Sequence, residues 1–572
     1  MNKKLGSSRI GKRLAVALGV ALAASTVAVP SSGAARISAA AKNDLTIMIG
    51  EPDAGWCNQD SPGVDQVAAK NSVLETLTIK NDKGKIVPYL LESYAPSADF
   101  KSWTFKLRQG IKFHDGEELT SKTVQTNILA NLGLIKAFTG KGQAASLPAI
   151  AWLDFAGINA AVNRRRPTVP VDGAAAIAAK YANFFKIIDT YSFQINLASP
   201  KPNFPYNLWN EGRTTIMSSA SLVSPSCGTT VAVGTGPFMV KSKGTDPNTT
   251  VLVANPNYWR KAKDGSALPK ASTVTFKVVG DAAQRVNALQ RGQADIATFG
   301  ATSGTQLNQL KKLKGKVTLY EGPRDIEWAF HLNTTKLPFA KKSARLAFAS
   351  AIDRTAFVTL MTKGNGSPAE GMGPKGHPFF VKGVMPTYSV AKAQEYAAQY
   401  KAETGQALSI VLQPNTTTES SKASQAICNM LGAAGIACTL APPLTSTQVI
   451  LAGFGLVNQA SWFNVNSGAY ANFGILFVTN TNLELSGFGF TDPTLTKCFE
   501  DASAVDTAAA YAPCSTKVMT EAYQVPIYLE GGFLAWNNKV SGIGSTPLPG
   551  GALRPIISGS GFDIASATKT KG

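Results

Sequence analysis

Catalysis in this 572-residue chain would have to draw on three histidines and six cysteines. One histidine sits beside an acid, as His114-Asp115-Gly116 in WTFKLRQGIKFHDGEEL, and a His–Asp pair is the beginning of a general-base arrangement. The flanking residues assign it another role. Trp103, Phe105 and Leu107 alternate with Thr104, Lys106 and Arg108, Gly110 interrupts, Ile111 and Phe113 resume, and Asp115-Gly116 is a tight-turn dipeptide. The segment reads as two strands, with His114 facing solvent at the turn. His331 and His377 have no acid, serine or cysteine close in sequence in an arrangement that suggests a triad. There is no Gly-x-Ser-x-Gly elbow, Walker A loop or His-Glu-x-x-His. Gly234-Thr235-Gly236-Pro237-Phe238 lacks the spacing of a dinucleotide fingerprint. No catalytic residue, metal site or cofactor is expected.

The cysteines read as staples. A positive head (Lys3, Lys4, Arg9, Lys12, Arg13), an apolar run over Leu14–Val29 and small residues up to Ala41 have the order of a secretory signal, without a lipid-anchoring cysteine. The run is short for a membrane span. Export places Cys57, Cys227, Cys428, Cys438, Cys498 and Cys514 where disulfides persist. Of the 15 pairings that six cysteines allow, proximity favours Cys428–Cys438 and Cys498–Cys514, leaving Cys57–Cys227.

Length suggests two or three domains, and 44% apolar with 16% charged residues describes a globular chain. Net charge is +20, or about +14 without the six basic residues of the first 41. The basic residues are dispersed apart from Arg164–Arg166, so the charge reads as a solvated face and not a nucleic-acid surface. Strand and helix patterns recur: DLTIMIGEP as a strand, VDQVAAKNSVLETL as a helix, and STVTFKVVG as a strand. A helix capped by Asp281 and stopped at Gly292 follows, and then a strand over Asp295–Phe299. KKSARLAFASAIDRTAFVTLM reads as one amphipathic helix from Lys341 to Met361. The fold class is α/β with antiparallel additions.

The ordered segments carry a resemblance. Pro88, Glu92, Ser93, Phe105, Leu107, Arg108, Gly110, Phe113, Asp115, Gly116, Leu119, Thr120 and Val124 fall in register with a family signature. GTGPFMV, NPNYW, ALQRGQADIATF, LGAAGIACTL and QVPIYLEGGFLAWN agree further along. Together they resemble the solute-binding proteins of ABC importers, extracellular family 5, the peptide/nickel-binding type, over nearly the whole mature chain. The resemblance implies a two-lobed clamshell with an extra subdomain in the larger lobe. Residues 1–41 would be the signal, 42–304 lobe I with an accessory subdomain at about 77–190, 305–500 lobe II, and 501–572 a return to lobe I. It also implies a monomer, exported to the periplasm or the cell envelope. Such a protein captures a small solute or peptide and delivers it to a permease with its ATPase, with no nucleic-acid partner and no chemistry. A secreted hydrolase, or the binding subunit of a sensory system, is the alternative.

The same resemblance places the ligand between the loop Glu51–Asp60, with Asp53 and Trp56, and the Gln459–Tyr470 segment, with Trp462, Phe463, Asn464, Asn466 and Tyr470; Asn333 falls nearby. Peptide binders of the family carry an Asp a few residues after the Trp to neutralise a peptide's amino terminus. Here Asn464 and Asn466 follow Trp462, and no acid occurs between Glu419 and Glu484. A buried ammonium without a carboxylate is costly, so either the ligand has no amine there or another acid serves.

Overall fold

Alternating apolar residues at Asp44–Ile49, Thr273–Val278 and Ile296–Phe299 make three parallel strands at the centre of a seven-stranded sheet. The computed structural model describes residues 43–51, 56, 68–132, 137–138, 144–145, 179, 181–222, 232–243, 248–445, 448–449, 459–466, 479–480, 485–486, 492–553, 556–558 and 561–570. Asp53, Cys57, Cys227 and Tyr470 lie outside the described residues. Leu45, Ile47 and Ile296 are fully buried, as expected of parallel strands covered on both faces. Thr249–Ala254 and Phe238–Lys243 extend the sheet antiparallel on one side, Phe533–Asn537 and Val317–Glu321 on the other.

A second, six-stranded sheet runs in the order Ser367–Pro368, Gln524–Glu530, Ile326–Leu332, Ala460–Asn466, Ser409–Gln413, Ala437–Leu440. A separate four-stranded antiparallel sheet holds Leu91–Pro96, Ser102–Leu107, Ser192–Asn196 and Phe185–Ile187. Its buried face stacks Phe105 on Phe193 and Phe193 on Phe185. The period-2 reading of Trp103–Leu107 is what the strand shows.

Two strands stand on the other side of the expected lobe boundaries. Val317–Glu321, expected in lobe II, pairs with Phe533–Asn537 in the first sheet, while Gln524–Glu530, expected in the C-terminal return, pairs with Ile326–Leu332 in the second. The chain therefore passes between the sheets at 322–325 and again at 531–532. The two passages touch: Gly322 N–H donates to Gly532 C=O at 2.9 Å, and a Cβ on Gly531 would lie 2.7 Å from the Gly322 carbonyl carbon. Only a glycine permits that approach.

Local chemistry also breaks two expected helices. The 341–361 pattern divides at Ile352, which is extended, and Asp353 recaps the chain by accepting from Ala356 N–H at 2.8 Å. An Asx cap competes with helix continuation even where apolar periodicity persists. Within Val64–Leu77 only Lys70–Val73 is helical among the described residues, because Glu75–Thr76 pairs with Thr215–Ile216. Glu75 is buried and accepts from Tyr89, Tyr258, Trp259 and Thr235, at 2.5–2.8 Å.

His114 does not face solvent. It is half-buried against the glycine-rich loop, where Gly234 N–H donates to Nδ1 at 3.3 Å and Nε2 lies 3.0 Å from Gly236 C=O. Burial lowers its pKa. The Gly-Thr-Gly stretch is thus a docking surface for the turn. Two disulfides form as proximity suggested: Cys428–Cys438 ties the Thr418–Ala433 helix to the next strand, and Cys498–Cys514 ties the Pro493–Val505 and Ala508–Thr520 helices.

Candidate functional site

The carboxyl ends of the three parallel strands open onto one cleft, where Gly50 and Glu51, Gly280, and Gly300 follow Ile49, Val278 and Phe299. The second sheet supplies the facing wall through Trp328, Trp462, Tyr528 and Glu530, and the first turn of the Thr418–Ala433 helix through Thr417 and Glu419. Crevices at strand carboxyl ends are the default ligand sites of α/β sheets. The cleft volume is about 210 Å³, enough for a small solute and not for a folded partner.

The facing wall is an aromatic platform. Trp328 is half-buried and stacks on Trp462 at 5.4 Å and on Tyr528 at 6.2 Å, with Phe330 behind Trp462 at 4.6 Å. Such faces take apolar or cationic ligand groups. Glu530, the last residue of its strand, is 5% exposed. Its Oε1 accepts from Trp328 Nε1 at 2.6 Å, and its Oε2 accepts from the Ala301 N–H of the first lobe. A carboxylate thus stands on the Trp462 wall, contributed by a different strand from the one that carries Asn464 and Asn466.

Arg285 occupies the opposite lip, on the Ala282–Gln290 helix that Asp281 caps by accepting from Gln284 N–H at 2.8 Å. Its side chain folds inward over Phe299, 5.1 Å from the ring centre. On the other wall, Thr417 caps its helix through Ser420 N–H at 3.1 Å. Among the described residues no group of three or more His, Cys, Asp or Glu is placed to hold a metal ion, and no helix is long and apolar enough to cross a membrane.

Of the residues singled out from sequence, Trp462 lines the cleft and is also 6% exposed within the second lobe's core. Trp56 is buried in the first lobe's core and does not line the cleft. Asn333 does not line it either: its Oδ1 accepts from Thr335 N–H and Oγ–H at 3.0 and 2.7 Å, an Asx turn. Phe463, Asn464 and Asn466 lie in the Ala460–Asn466 strand, in register with Ala329, Trp328 and Ile326, and their side chains are outside the described residues. Arg285, Trp328, Tyr528 and Glu530 were missed. Their signals were an arginine on an otherwise buried helix face and a lone acid closing an apolar strand.

Comparison with known proteins agrees with this architecture. A family profile, "Bacterial extracellular solute-binding proteins, family 5 Middle", matches residues 85–482, well over half of the chain. The chain is 28% identical to the probable D,D-dipeptide-binding periplasmic protein of Escherichia coli (strain K12) over 50% of its own length and 48% of that protein's. It is 26% identical to a glutathione-binding protein of Pectobacterium atrosepticum, over 54% and 52%. The matches thus span about half the length of these curated relatives. The fold is that of a periplasmic binding protein from A. tumefaciens R10 solved with agropinic acid, with TM-score 0.74 and 20% identity over 92% of this chain and 99% of that one. These are binding proteins and not enzymes, and the two lobes observed are theirs. The chain belongs to the bacterial extracellular solute-binding proteins, family 5.

Proposed function

We propose that this protein captures a small peptide or peptide-like solute between its lobes and delivers it to the permease and ATPase of an ABC importer. The observation that carries this reading is the cleft itself, with strand ends on one side, an aromatic wall on the other and two short passages joining the lobes. Rotation about 322–325 and 531–532 would bury the ligand and change the outer shape together, and a permease that prefers the closed form then receives loaded protein. The names of the dipeptide- and glutathione-binding relatives support a peptide-like solute. Glu530 answers the missing acid after Trp462, since it brings a carboxylate to the same wall. The leader-like N-terminus and the periplasmic relative support export to the periplasm or cell envelope, with the protein acting as a monomer.

Thermal-shift screening of defined peptides, paired with uptake in the host, tests this. A ligand at 100 times its Kd stabilises the folded state by about 2.7 kcal/mol, and deletion of the protein should abolish uptake of that ligand. Release of hydrolysis products, or unchanged uptake on deletion, overturns it.

A further inference from the structure

Arg285 is a charged side chain placed for more than scaffolding. It is 4% exposed and lines the cleft. Nε donates to Thr298 C=O at 3.1 Å, and Nη1 donates to Val279 C=O at 2.5 Å and Gly280 C=O at 3.1 Å. Among the described residues Nη2 makes no hydrogen bond and no acid reaches ion-pair distance; Glu419 and Asp281 act on the guanidinium only from further away. Gly50 lies against the guanidinium, and Gly280 lines the same cleft. A Cβ on Gly50 would stand 3.7 Å from Nη2, and a Cβ on Gly280 would meet nothing nearer than Gly50 C=O at 3.8 Å.

We propose that Arg285 anchors a carboxylate of the captured solute through Nη2, so that the cleft selects peptide-like ligands with a free acid group. The proposal rests on the solute-binding reading above. A buried guanidinium whose direct partners are carbonyl oxygens, with Glu419 and Asp281 acting only from further away, gains from a carboxylate, whose charge-assisted bond is short and strong in a desolvated site. Three backbone bonds fix the guanidinium plane before the ligand arrives, which spares the ordering cost on binding. Glu51, Glu419 and Glu530 line the same cleft. A simple anion therefore meets net repulsion, whereas a zwitterion offers its carboxylate to Arg285 and its cationic end to an acidic, aromatic wall.

The test titrates wild-type protein with di- and tripeptides bearing a free C-terminus and with the same peptides as C-terminal amides. The amides should bind roughly 10- to 100-fold more weakly. Arg285→Gln should weaken the free acids more than the amides and so erase the discrimination, and Arg285→Lys should restore part of it. If Arg285→Gln does not fold, Arg285→Lys on the same acid and amide pairs decides, because a purely structural arginine would leave their ratio where it is in the wild type. Equal binding of acid and amide overturns the anchor and leaves the cleft reading standing. Wild-type protein that binds neither form overturns both.

Discussion

Replacing Gly531 by alanine adds a methyl group against the Gly322 carbonyl, where the two passages between the lobes run side by side. The new Cβ would sit 2.7 Å from the Gly322 carbonyl carbon and 3.0 Å from Pro323 C=O, and the obstruction is backbone on both counts, so no side chain can swing aside. The Cβ would overlap the Gly322 carbonyl oxygen outright, so the passages must separate by roughly 1–1.5 Å to restore ordinary contact, which also breaks the Gly322 N–H to Gly532 C=O bond of 2.9 Å. Overpacking costs about 1–3 kcal/mol and the hydrogen bond about 1 kcal/mol, so a loss of roughly 2–4 kcal/mol is expected. Urea unfolding followed by far-ultraviolet circular dichroism reads this as a lower midpoint at unchanged slope. Gly432→Ala is the comparator. It lies in the Thr418–Ala433 helix with nothing within 4 Å of an added Cβ, and should gain about 0.5–1 kcal/mol. A Gly531→Ala midpoint equal to wild type would refute the packed double passage.

Trp462→Ala removes a side chain that touches Phe330, Trp328, Phe357 and Tyr528; it should cost about 3–5 kcal/mol of stability as well as affinity, measured by the same unfolding. Trp462 thus serves the core as well as lining the cleft. Glu327 is fully buried, and burial raises its carboxyl to about 8 against a hydrogen bond from Gly373 N–H that lowers it. The folded state therefore holds a proton that the unfolded state releases between pH 4.5 and about 8, so Glu327 removes stability as pH rises, by up to ~1.4 kcal/mol per unit. Glu327→Gln should flatten that part of the stability–pH profile, and an unchanged slope would contradict the assignment. His331, lowered to about 3 by burial, acts in the opposite direction at acid pH, so stability should peak between the two.

Some of this was legible in the residues. One-sided burial leaves a period-2 trace, which is why Trp103–Leu107 reads correctly, and Asp281 and Gly292 mark a helix by cap chemistry that needs no tertiary partner. What was not legible depends on distant partners. Nothing in Val317–Glu321 or Gln524–Glu530 says which sheet each joins, because a strand's pattern records burial and not its neighbour. The break at Ile352 hides inside an unbroken apolar stripe. His114 looked solvent-facing because its partners, Gly234 and Gly236, are about 120 residues away. At the site, Trp462 was found through family resemblance alone. Arg285 escaped because an arginine on an amphipathic helix ordinarily marks the wet face, and here it folds back over Phe299. Glu530 escaped because the acid expected beside Trp462 was sought in its own strand.

Native mass spectrometry of protein purified from its host, wild type beside Gly280→Trp, reads solute capture in the cleft itself. Gly280 lines the cleft, and a Cβ there meets nothing closer than 3.8 Å, so an indole at this position is expected to compete with the solute for space. Each wild-type chain should carry one unmodified small molecule and Gly280→Trp none, with equal melting temperatures once the wild type is stripped. Retention of the same solute by Gly280→Trp, or a chemically altered solute on wild type, would contradict solute capture in the cleft.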